Sequence, residues 1–175
     1  MTEVSHTQRF FRWTRWGPVH IARRRDAIDA TIGDVTVTMD ITDRRPVREQ
    51  QESRFHDLFA DGVPIALNGR QVATVSSVPN GPVGLLRRQR HEITGDPSFV
   101  LPGMHFTNRA LPTLLTLRCD AGTLVSSRRW ASPINMAVAE WSFVREYDII
   151  APRVARDTRP EHIALWMVMS QKQSW

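Results

Sequence analysis

The chain of 175 residues contains one cysteine, Cys119, and one lysine, Lys172. A single cysteine excludes an internal disulfide and a cysteine-rich zinc site, and it suits a reducing cytoplasm. No apolar run approaches the roughly 20 residues that a bilayer-spanning helix needs, so no membrane span is expected. The opening MTEVSHTQRFFRW lacks the apolar stretch and small-residue cleavage site of a secretory signal. The chain also lacks the GxGxxG and GxxxxGK phosphate loops, the HExxH metal helix and the GxSxG nucleophile elbow. Common cofactor enzymes are therefore disfavoured and no cofactor is expected. His6, His20, His56, His91, His105 and His162 have no histidine partner at i+2, i+3 or i+4, so no metal site is expected either. No fixed-period repeat or heptad array is present.

What is present describes a foldable chain. Hydrophobic residues make up 41% and charged residues 23%, enough apolar material for a core under a polar surface. The length fits a single domain over residues 1–175. The formal charge of +5 draws the protein towards nucleic acid, anionic lipid or an acidic partner. Every basic residue except Lys172 is arginine, and this bias weakens any one arginine cluster as a functional signal.

Residues 1–30 form a basic aromatic arm. Phe10, Phe11, Trp13 and Trp16 stand among Arg9, Arg12, Arg15 and the run Arg23, Arg24, Arg25, with Glu3 the only acid through residue 25. From Val35 to Ile41 apolar and polar residues alternate, the period of a half-buried strand. Phe55, Leu58 and Phe59 carry a helical stripe and predict a surface helix over 48–60, ending before Gly62 and Pro64. The strongest local signal is Asn68-Gly69 between Val63–Leu67 and Arg70–Val75, which predicts a tight hairpin pairing Leu67 with Arg70 and Ile65 with Val72. A strand is expected at Val83–Leu86, before the basic run Arg87-Arg88-Gln89-Arg90-His91. Between Gly95 and Pro112 three prolines and two glycines predict an ordered loop with a short strand at Phe99–Leu101. A second hairpin is expected over 111–127, turning at Asp120-Ala121-Gly122.

Two helices are predicted beyond it. Ser132-Pro133 begins one that reaches Tyr147, with an alternating strand as the other reading because Phe143 and Val144 leave both faces apolar. Thr158-x-x-Glu161, with Pro160 between, has the spacing of a capping box for the other. Ile163–Met169 is apolar all round, so this last helix belongs either inside a sheet or in a subunit contact. The fold class that follows is α+β, a single domain in which a curved, mainly antiparallel sheet packs against the hydrophobic C-terminal helix.

Function is less legible, and whether the protein is an enzyme is left open. The leading expectation is non-catalytic binding of nucleic acid or another polyanion. Arg12, Arg15, Arg23, Arg24, Arg25, Arg87 and Arg88 would hold phosphates while Trp13 and Trp16 stack on bases. The arm's residues also read as an edge strand laid over the core with Arg12 and Arg15 solvated, and that plainer reading has the greater weight. A second expectation is a small-molecule enzyme with an aromatic pocket, using Asp96 and His105 for acid-base work and Arg109 for an anionic group. A third is a structural protein that binds a protein partner or assembles as a homo-oligomer through its terminal aromatics. His56-Asp57 and His91-Glu92 are sequence neighbours whose side chains diverge, and both pairs read as surface groups. Cys119 reads as an inert thiol.

Overall fold

The computed structural model describes residues 6–13, 17–42, 58–78, 88–110, 113–128 and 153–172. They form eleven strands: β1 His6–Trp13, β2 Gly17–Arg23, β3 Ala27–Ile32, β4 Val35–Asp40, β5 Val63–Leu67, β6 Arg70–Ser77, β7 Arg88–Gly95, β8 His105–Ala110, β9 Thr113–Cys119, β10 Gly122–Arg128 and β11 Arg153–Val154. A 3-10 turn, Leu58–Asp61, precedes β5, and one helix, α1 Pro160–Lys172, follows β11. Each strand pairs antiparallel with its neighbour in sequence, so the order across the sheet repeats the order along the chain. The sheet does not close into a barrel among the described residues, where β1 and β11 each have one paired neighbour.

The buried helix explains the curvature. α1 packs on β2, β3 and β4 from one half of the sheet and on β9 and β10 from the other. A flat sheet cannot bring strands so far apart in its order against one helix, so it curls around α1. Ile163 through Ser170 are wholly enclosed. The even apolar girth of this helix, unsuited to a surface position, is thus satisfied by the sheet and needs no second chain. Trp166 is fully buried, and its indole N–H donates to the Leu115 carbonyl at 3.3 Å. The inward residues of the strands supply the opposing surface: Val19 and Ile21, Ile28 and Ala30, Val37 and Met39, Leu115 and Leu117, and Val125.

The Asn68-Gly69 hairpin forms as expected at its tip. Leu67 pairs with Arg70, and both turn residues have positive φ, 48° and 83°, the geometry of the tight turn that suits twisted strands. Asn68 also ties the turn to β4, since its Oδ1 accepts from the Thr36 amide at 2.8 Å. Further in, the register differs from expectation. Ile65 faces Ala73 because the ladder shifts between Ile65 and Ala66, leaving Val72 as an extra residue. This bulge breaks the alternation and lets both Val72 and Ala73 be buried.

Two further corrections have local causes. The stretch at Phe99–Leu101 is a turn rather than a strand. Asp96 accepts from the Ser98 amide through Oδ1 and from the Phe99 and Val100 amides through its carbonyl, which curls the chain after Pro97. The strand within the proline-rich region is β8. At the start of α1, the Thr158 hydroxyl donates to the Leu124 carbonyl, and Glu161 pairs with Arg159 at 3.0 Å, so the expected capping box is replaced by a tether to β10. Pro160 does occupy the first helical position, with Arg159 as the cap. Of the helix expected over 48–60, only its end is described, as the 3-10 turn. The strand at Val83–Leu86 and the helix from Ser132 to Tyr147 lie outside the described residues. No helix among those described is long and apolar enough to cross a membrane.

Candidate anion-binding end of the sheet

Strict antiparallel succession places successive connections at alternate ends of the sheet. Even-numbered strands finish, and odd-numbered strands begin, at the same end of the sheet. At the opposite end the connections include the tight turns Gly33-Asp34, Asn68-Gly69 and Asp120-Ala121. The first end gathers the β2–β3 turn and the longer connections β4–β5, β6–β7 and β10–β11.

Arginines lie at both ends of the sheet, Arg12, Arg70, Arg118 and Arg159 at the turn end and a second set here. Arg23 closes β2, Arg24 and Arg25 occupy the turn that follows, and Arg88 opens β7. Arg109 lies one residue before the end of β8, and Arg128 closes β10. Arg25 is exposed, and Arg24, 56% exposed, spends one edge of its guanidinium on Asp29 at 3.0 Å. An exposed ion pair of this kind contributes little, so Arg24 retains donors for a ligand. The described acids near this end are Asp26, Asp29, Asp40 and Asp61. Asp40 accepts from the Thr42 amide at 2.9 Å. Along a flat sheet β2 and β7 would be about 24 Å apart, five strand spacings, and the curl around α1 shortens the span.

The remaining candidates fall elsewhere. Arg12 and Trp13 end β1 and pair with Pro18 and Gly17, at the turn end of the sheet. From Gly17 to Arg23 the strand rises about 20 Å, so the Arg12–Trp13 pair is separated by that length from Arg23–Arg25. Arg15, Trp16 and Arg87 lie outside the described residues.

Asp96, His105 and Arg109 are placed differently again. Asp96 follows β7 and His105 begins β8, both at the turn end, while Arg109 lies about 13 Å further along β8. The Asp96 carboxylate is engaged by the Ser98 amide and, at 3.0 Å, by Arg70. The hydrogen bonds from Ser98, reinforced by the Arg70 charge, hold its pKa below the usual carboxylate value. His105 donates from Nδ1 to the Gly103 carbonyl at 2.7 Å. A cleft of about 640 Å³ lies alongside, with Arg90, Glu92, Thr94, Val100, Leu101 and Met104 in its walls. Its described lining includes none of the three candidates and no aromatic ring.

Two histidines that sequence reasoning left as ordinary prove to be buried. His91, expected at the surface, is 3% exposed because strand alternation turns it inward with Ile93 while Glu92 faces out. Its ring lies 4.4 Å from that of Phe59, and Nδ1 is 3.3 Å from the Ser77 hydroxyl. His162 is 1% exposed in the first turn of α1. Its position directly before the apolar run Ile163–Met169 was the available signal. Cys119 is buried. Among the described residues no three histidine, cysteine or acidic side chains are grouped to hold a metal ion. Comparison of the chain with protein-family models, with curated proteins and with solved structures finds no match.

Proposed function

We propose that this protein is a non-catalytic binder of nucleic acid or another polyanion, acting in the cytoplasm, and that Arg23, Arg24, Arg25 and Arg88 form its principal phosphate contact. The observation that supports the reading is the shared location of these residues at the long-loop end of the sheet. The arginines of the β2–β3 turn are the best candidates, because they stand together in one short turn and Arg24 and Arg25 are exposed. Planar guanidinium groups bind phosphate oxygens in pairs of parallel hydrogen bonds. Arg87 adjoins Arg88 in sequence and belongs to the same contact. Arg12, Trp13, Arg15 and Trp16 make a second contact in which the indoles stack on bases.

The test is a binding titration against single-stranded RNA, single-stranded DNA and duplex DNA over a salt series. Phosphate contacts release counterions, so log K should fall linearly with log salt. Replacing Arg23, Arg24 and Arg25 together by glutamine removes up to three contacts and should flatten the single-strand slope by about 2. Absence of binding at low salt, or a slope untouched by the triple substitution, would refute the proposal.

A further inference from the structure

The N-terminal turn of α1 is fastened to the 96–104 loop by a small polar cluster in which His162 is buried and the Arg159 side chain is 41% exposed. His162 Nε2 lies 2.8 Å from the Phe99 carbonyl, which fixes the proton on that nitrogen as donor. Arg159 reaches the same place, donating from Nη1 to the Ser98 carbonyl at 2.8 Å and from Nη2 to the Phe99 carbonyl at 3.2 Å. The imidazole also sits edge-on to the Phe99 ring, with centroids 5.7 Å apart. Two side chains of the helix thus hold two adjacent carbonyls of one turn, and the residues that follow, Val100 and Leu101, form a wall of the neighbouring cleft.

We propose that His162, Arg159 and the Ser98–Phe99 carbonyls form an acid-sensitive latch that closes the turn end of the sheet over the start of α1 and releases the 98–104 loop on acidification. The neutral ring fits this site and the charged ring does not. Adding a proton at Nδ1 would bury a cation whose Nε2 is 3.1 Å from the Arg159 guanidinium, with both groups donating to one carbonyl. Glu161 is the acid at hand, and it is already bound to Arg159 Nε at 3.0 Å. Asp96, in the adjoining turn, is committed to Arg70 and the Ser98 amide.

Burial is the largest influence on the His162 pKa and lowers it from the ordinary 6.5; the Phe99 carbonyl and Glu161 oppose that shift, and Arg159 adds to it. The sign follows directly. With the folded pKa depressed, the unfolded or opened state binds more protons between that value and 6.5, so the closed state loses stability as pH falls through this window.

The test is amide hydrogen exchange of the intact protein at pH 7.5 and pH 5, expressed as protection relative to the intrinsic rate at each pH. Protection of residues 98–104 and of the first turn of α1 should fall severalfold at pH 5, while the β3–β4 ladder stays protected. His162→Gln keeps a donor towards Phe99 without a titrating ring and should remove the pH dependence. Arg159→Gln deletes the neighbouring charge, which brings the folded His162 pKa closer to 6.5, and should shrink the acid-induced loss of protection. Equal protection of 98–104 at both pH values in the unaltered protein would overturn the proposal, as would the same acid response in His162→Gln. If that variant does not fold, the unaltered protein and Arg159→Gln still decide the matter.

Discussion

Gly95 shows how much one absent side chain carries. It ends β7 opposite the bulge of β6 with φ at 151°, and a Cβ there would overlap the Val72 carbonyl and lie 2.7 Å from the Ala73 Cα. The same Val72 carbonyl accepts the Asp96 amide at 2.8 Å, so bulge, glycine and turn are one construction. Neither partner can withdraw, because both are backbone. Gly69 also has positive φ, but open space surrounds its would-be Cβ. Alanine at Gly69 should therefore cost about 1 kcal/mol of backbone strain alone. At Gly95 strain and collision combine, and about 3 kcal/mol is expected. Urea unfolding of the two variants checks the difference, and equal losses would show that the backbone at Gly95 gives way freely. Sequence announced Gly69, through Asn68 before it, and was silent about Gly95, because the requirement arises from a bulge on another strand.

At the scale of elements, legibility followed the reach of the forces involved. The β5–β6 tip was readable because its turn chemistry is local to Asn68 and Gly69. β4 was readable because Val37 and Met39 alternate with Thr36 and Thr38 over a single buried face. The register beyond Ile65 was not, since the bulge serves contacts of Val72 with the turn after β7. Thr158 and Glu161 had the spacing of a cap, yet the Leu124 carbonyl competed for the hydroxyl from a strand 34 residues away. The helix α1 was legible in kind, and the choice between sheet and subunit contact was settled by strands from both halves of the sheet meeting it. Trp166 is the element's largest commitment, fully enclosed and hydrogen bonded across to β9. Its replacement by alanine should cost about 3–5 kcal/mol. Calorimetry or urea titration reads this directly, and an unchanged unfolding midpoint would mean that the enclosed helix does not support the fold.

For the whole molecule, the proposed binding role predicts a dependence on ligand length. The candidate residues divide into two groups at opposite ends of the β2 strand, Arg23–Arg25 at one and Arg12–Trp13 at the other. Their spacing of about 20 Å corresponds to about six steps of a nucleic-acid strand at 3.4 Å each. An oligonucleotide shorter than this reaches one group; a longer one reaches both, and the second contact then forms at high effective concentration. The sequence showed one basic aromatic arm because its residues are close along the chain, whereas the strand that carries them keeps its ends apart. Affinity should thus rise steeply between oligonucleotides of about four and about twelve residues. Replacing Trp13 and Trp16 by alanine should weaken the longer ligand by about 1–3 kcal/mol per lost stack and leave the shorter one, held by the arginines, nearly unchanged. Anisotropy titrations at fixed salt separate these outcomes. If the tryptophan substitutions weaken short and long ligands alike, the two groups act as one site and the two-contact arrangement fails; if affinity grows only in proportion to length, binding is diffuse charge attraction.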